Sequence, residues 1–188
     1  MKKLFIANWK MQLDYNSSLA LAKKYNKNLN KVKNDVIITP DFSSLAAVGD
    51  ILKKSALKLG AQDVAPEISG AYTGEVSAKS LKQAGAKYVL IGHSERRQYF
   101  KEDSPLFKLK VMAAQKAGLI PVLCIGENLA AYKAKKTHSV LRRQLEEVLF
   151  GLIFTNPNSL VIAYEPVWAI GSGKTPAASE VEAAQVFI

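Results

Sequence analysis

Cysteine is almost missing from this chain: Cys124 is the only one in 188 residues. A lone thiol excludes an internal disulfide and fits a reducing setting, so a cytoplasmic protein is expected. Histidine is nearly as scarce. His93 and His138 do not combine with Cys124 at metal-ligand spacing, and no metal is expected. No apolar run reaches the length of a membrane span. Leu4–Ala7 is too short for a secretory core and no cleavage site follows it, so no leader is expected. Aromatic residues make up 9%, and few sit among the lysines. The net charge of +10 therefore argues weakly for nucleic acid. Many of the lysines (Lys23, Lys24, Lys27, Lys53, Lys54, Lys108, Lys110) fall on expected helix faces and read as solvated. A small anionic substrate remains compatible with that charge. No G-x-G-x-x-G follows the first apolar run, which weakens a dinucleotide reading.

What the chain does contain is a regular alternation. Apolar β-type runs recur at Leu4–Ala7, Val36–Ile38, Leu57–Leu59, Tyr88–Ile91, Ile120–Ile125 and Leu160–Tyr164. Helical patterns fill the gaps. Ser17 and Ser18, Ser43 and Ser44, Ser77, and Ser104-Pro105 are placed to start helices, and Gly85 and Gly118 to stop them. Leu141, Leu145, Val148 and Leu149 keep helical spacing, and Asn156, Pro157 and Asn158 break the chain before the sixth run. Continuous apolar strands alternating with helices indicate a parallel α/β sheet covered by helices. No linker or composition shift divides the chain, so residues 1–188 read as a single domain. The sheet is either doubly wound or part of a (β/α) barrel.

In either architecture chemistry collects at the C-terminal ends of strands. The first strand ends in Asn8-Trp9-Lys10, with Asn8 and Lys10 two apart and on one side. Burying an unpaired ammonium is costly, so Lys10 either meets an anion or escapes to solvent at the strand mouth. The fourth strand ends in Gly92-His93-Ser94-Glu95-Arg96-Arg97. His93 is either a structural imidazole or a catalytic one. Glu95 reads as half of an ion pair with Lys10 or an arginine. His138 sits among lysines and reads as solvated. Cys124 lies inside the fifth run, where core packing outweighs nucleophilic work. The sixth strand ends at Glu165, followed by Pro166, an apolar patch Val167–Ile170, and Gly171 and Gly173. That is the layout of a flap over an active site. The alternative is a tight strand-to-helix loop with one exposed glutamate. Thr175 and Pro176 are expected to open the following helix. A lysine, a neutral histidine and a glutamate at three strand ends suit proton abstraction beside a carbonyl.

The stretches ANWKM, GAQDV with AYTGEVSA, YVLIGHSERR, PVLCIGE and AYEPVWAIGSGKTP occur in this order along the whole chain. Together they resemble the triosephosphate isomerase family. The resemblance implies a TIM (β/α)8 barrel, of which this chain holds six of eight βα units, since about 250 residues are typical of a complete barrel. It implies a homodimeric enzyme of glycolysis and gluconeogenesis. Such an enzyme interconverts glyceraldehyde 3-phosphate and dihydroxyacetone phosphate through an enediolate, without a cofactor. It implies Glu165 as base and His93 as neutral electrophile. Asn8, Lys10 and the Gly171 amide would bind substrate, Glu95 would support Lys10, and Thr73 would reach across the dimer. Gln12 and the stretch Val64–Ser69 depart from the family pattern. An alternative reading is an inactive barrel fragment serving as an interaction or scaffold protein.

Overall fold

A computed structural model describes residues 3–154, 156 and 158–188. Pro157 of the expected break lies outside the described residues. Each expected apolar run forms a strand, with Ile120–Ile125 unchanged and no end of the others moved by more than two residues. The strands are β1 (Leu4–Asn8), β2 (Asp35–Thr39), β3 (Lys58–Ala61), β4 (Ala86–Ile91), β5 (Ile120–Ile125) and β6 (Val161–Tyr164). All neighbouring pairs are parallel, in the order β1-β2-β3-β4-β5-β6. A doubly wound sheet reverses its direction of travel partway. Strictly sequential order has no reversal, so the sheet is a curled barrel wall and the doubly wound option falls away.

Helices cover the outside: α1 (Tyr15–Leu29), α2 (Leu45–Leu52), α3 (Ala78–Gln83), α4 (Ser94–Tyr99), α5 (Ser104–Lys116), α6 (Leu129–Lys133), α7 (Thr137–Leu149) and α8 (Ala178–Phe187). None among the described residues is long and apolar enough to cross a membrane. The core lies between wall and helices, where Ile38, Val89, Ile91, Phe107, Val111, Leu123, Ile125, Leu141 and Val148 are essentially inaccessible.

Several helix starts differ from the sequence reading. Asp14, not Ser17 or Ser18, caps α1 and accepts from the Ser17 N–H. Asp103 caps α5 and accepts from Leu106 N–H, so Ser104 is already helical. In each case an upstream carboxylate, three residues before Ser17 and one before Ser104, outcompetes the serine for the free amides. Ser77 does cap α3. The last helix begins after Ala177, not at Thr175, and Glu180 folds back to accept the Ala177 N–H at 2.9 Å.

Lys110 is the largest departure from the charge reading, because it is buried, not solvated. Its ammonium lies 2.8 Å from Asp63 Oδ1 and 2.7 Å from Glu102 Oε1. Arg96 joins the same two acids. The cluster ties the loop after β3 to α4 and α5.

Burial falls off at the two ends of the sheet. Leu4 and Phe5 of β1 are 39% and 51% exposed. Every residue of β6 is only half-buried. Among the described residues β1 and β6 each pair on one side only. Unpaired strand edges recruit other strands. Residues 1–188 expressed alone are therefore expected to bind a hydrophobic dye and to self-associate as concentration rises. A monomeric sedimentation profile with no dye binding would overturn this.

Candidate active site

The ends of β1, β4 and β6 bring the sequence-predicted residues into one line. Lys10 Nζ lies 2.7 Å from Glu95 Oε1. The other oxygen of Glu95 lies 3.6 Å from His93 Nδ1. On the far side of the ring, His93 Nε2 lies 3.4 Å from Glu165 Oε1. Lys10 thus finds an anionic partner and does not escape to solvent; Glu95 pairs with it and not with an arginine.

The backbone fixes this line at each member. Past the end of β1, Lys10 sits at φ 52°, a left-handed conformation that a lysine seldom holds without support. Asn8 supplies part of that support, since its Oδ1 accepts the Lys10 N–H at 3.0 Å. Gln62, from the end of β3, supplies the rest. Its side-chain amide donates to the carbonyls of Lys10 at 2.8 Å and Thr39 at 3.0 Å.

His93 stands immediately before α4. Its Nδ1 accepts the Glu95 backbone N–H at 3.2 Å. A nitrogen that accepts a hydrogen bond carries no proton, so the ring is neutral in this arrangement and its one N–H is on Nε2. That N–H faces Glu165.

Glu165 is held at both ends. Its backbone N–H donates to Ile125 O at 2.7 Å, and its Oε2 accepts the Ser94 N–H at 3.1 Å. Gly126 passes so close that an added Cβ would overlap the Glu165 carbonyl oxygen. Only glycine fits there. Cys124, two residues before Gly126, is buried, and its thiol is pushed well above its ordinary value by burial and then by the Glu165 carboxylate. It is a protonated core residue and no nucleophile.

After Glu165 the chain runs through consecutive tight turns, Ala169 N–H to Pro166 O and Ile170 N–H to Val167 O. The apolar flap is anchored by a residue that sequence reasoning passed over. Glu127 is 1% exposed. It accepts the Trp168 indole N–H at 2.9 Å and the Tyr164 hydroxyl at 3.1 Å. Burial and the neighbouring Glu127 raise the Tyr164 phenol well above its usual value. Trp168 also stacks on Tyr132, ring centroids 4.1 Å apart. The signal in the sequence was a glutamate two residues past an apolar strand, in Ile125-Gly126-Glu127. Gly171 sits at the flap's outer turn with φ 68° and is exposed, and no described contact joins it to the Lys10–Glu165 line. Thr73 lies on the exposed loop between β3 and α3, and no described contact joins it to that line.

A sequence profile described as triosephosphate isomerase matches residues 3–188. The triosephosphate isomerase of Syntrophotalea carbinolica is 46% identical over 190 residues, which span all of this chain and 75% of that protein. The one from Porphyromonas gingivalis is 44% identical over 183 residues, 96% of this chain and 73% of that protein. The crystal structure of triosephosphate isomerase from Bartonella henselae superposes with a TM-score of 0.89 at 34% identity, covering all of this chain and 74% of that one.

Proposed function

The chain belongs to the triosephosphate isomerase family, and on that premise we propose that its strand-end line of side chains interconverts glyceraldehyde 3-phosphate and dihydroxyacetone phosphate. The observation that carries the assignment of roles is the His93 ring, with Nδ1 on a backbone N–H and its only proton aimed at Glu165. A carbonyl oxygen placed at Nε2 would receive that proton's hydrogen bond while Glu165 removed a proton from the neighbouring carbon. The electrons left behind form the enediolate. A neutral imidazole is matched in acidity to an enediol, so it can pass its proton to one oxygen and take one from the other. Glu165 then returns its proton to the adjacent carbon, which completes the isomerisation with no net change in the enzyme.

The remaining roles follow from charge and position. Lys10, with Asn8 beside it, offsets the negative charge of the enediolate and phosphate. Glu95 keeps the ammonium aimed at the site. Gly171 would offer a flap amide to the phosphate. The gap between His93 Nε2 and Glu165 Oε1 is 3.4 Å, too narrow for a substrate carbon and oxygen. The carboxylate must therefore leave the Ser94 amide and swing over the substrate as the flap closes. Closure also excludes water and restrains the phosphate from leaving the enediolate. The proposal extends to a homodimer, because Thr73 is flanked on its exposed loop by Ile68 and Tyr72, themselves 43% and 49% exposed. It extends to the cytoplasm, where a buried free thiol stays reduced.

The test is exchange of substrate carbon-bound hydrogen for deuterium in heavy water, together with a coupled isomerase assay. Neither exchange nor turnover, from a chain with a cooperative melt, would remove the assignment. A finer test is His93→Gln. It should leave the melt unchanged and cut kcat by about a hundredfold or more, the usual contribution of a positioned acid–base group. Nitrogen NMR of the unmutated protein should show a neutral ring at pH 7, and an imidazolium signal would refute the electrophile role.

A further inference from the structure

Next to the flap's first hinge lies a crevice of about 440 Å³ whose wall includes none of Lys10, His93 or Glu165. It runs between α4 and α7. A second crevice shares Arg97, Arg143 and Gln144 with it. Arg97 is unusual there. Among the described residues it forms no ion pair. Its Nε donates to Gly92 O at 2.9 Å and one terminal nitrogen to Cys124 O at 3.2 Å. One face of the guanidinium lies over Phe107, 4.3 Å from the ring centroid. A guanidinium has five N–H donors, so most of this one's donor capacity is left toward the crevices. Burial lowers its affinity for its proton, outweighing the pull of the Glu165 and Glu147 carboxylates. Arg143 faces the same space from α7. Its contact with Glu147 is a loose 4.0 Å between two exposed groups, leaving it free to turn.

We propose that this crevice binds a small organic anion, a carboxylate or phosphate head on a short apolar body, clamped between Arg97 and Arg143. Two guanidinium groups match the paired oxygens of either head. Ala131, Val140 and Val167 supply the apolar wall for the body. The volume lies within the ordinary range of small-ligand pockets. Val167 is also a flap residue, so the occupant touches the segment that closes. A ligand that fits the crevice in its present shape favours the present flap position, with Trp168 on Glu127, over any other. Binding there therefore slows turnover without competing for the substrate's place. This last clause rests on the isomerase reading; the binding itself does not.

The test titrates the 188-residue chain, kept at a concentration where sedimentation shows a single species, with isobutyrate and, separately, with methyl phosphate, following the methyl signals of Ala131, Val140 and Val167. A saturable shift of these methyls by either probe is expected, and the tighter probe identifies the head group. Arg143→Ala should weaken it by about tenfold, the loss of one charge-assisted contact. Val140→Phe should fill the crevice and abolish it. Absence of a saturable shift with both probes overturns the site. So do equal affinities in Arg143→Ala and the parent, or shifts confined to the backbone amide signals of His93 and Gly171, followed in the same titration, which would put the anion at the strand ends. Methyl shifts in a chain without isomerase activity would leave the crevice standing and the isomerase reading refuted.

Discussion

Glu165→Asp is expected to lower kcat by about a hundredfold while changing substrate binding little. Shortening the side chain by one methylene withdraws the carboxylate by roughly 1 Å, and a misplacement of that size carries a cost of that order. In many loops the backbone could drift to make up the difference. Here it cannot. The Glu165 N–H is tied to Ile125 O, and its carbonyl already fills the space where a Gly126 side chain would stand. The shortened carboxylate would also lose its reach to the Ser94 amide and to His93. Steady-state kinetics of the variant, with an unchanged melt, is the measurement. A kcat near that of the parent would remove Glu165 from the role of base.

The second large effect is on stability. Lys110→Met should destabilise the fold by about 3–5 kcal/mol, because it leaves Asp63 and Glu102 buried with one shared cation, Arg96. Glu102 Oε2 already lacks a hydrogen-bond partner, so nothing is in reserve. The loss should depend on pH in a defined direction. Burial raises the Asp63 carboxyl above its ordinary value, outweighing Lys110 and Arg96. A raised carboxyl is protonated more readily folded than unfolded, and once protonated it needs no cation. Glu102, which burial alone would raise, is held below its ordinary value by the bonds from Arg96 and Lys110. Its contribution is present above the unfolded pKa and disappears as pH falls through the folded one. The deficit of the variant should therefore narrow as pH falls, with Asp63 neutralised before Glu102. Urea unfolding at several pH values reads both effects, and a deficit that is small or independent of pH would contradict the account.

Much of this was legible in the residues. Apolar run length and alternation located all six strands, because strands of a helix-covered parallel sheet carry unbroken apolar runs, which β1 and β6 keep although they are only partly buried. The strand-end residues Lys10, His93 and Glu165 stood out because each is a polar group where the pattern calls for an apolar one. Three kinds of feature were not legible. Pairing across the sheet hid Gln62 and Glu127, whose partners lie 52 and 41 residues away. Helix caps were misplaced where an upstream carboxylate reached the same amides as a nearby serine. Lys110 was misread because spacing gives a helix face but not what that face meets. Its partners come from a loop 47 residues earlier and from eight residues upstream.

The left-handed Lys10 sets stability against function at one position. A non-glycine residue held at positive φ costs about 1–2 kcal/mol, and glycine at the same place does not. Any selection for heat resistance alone will therefore find Lys10→Gly attractive and with it discard the ammonium that faces Glu95. Libraries screened by melting temperature should drift toward well-folded chains that turn nothing over. A screen of this fold must read catalysis at every round, since on the role proposed for Lys10 the more robust molecule at residue 10 would be the idle one.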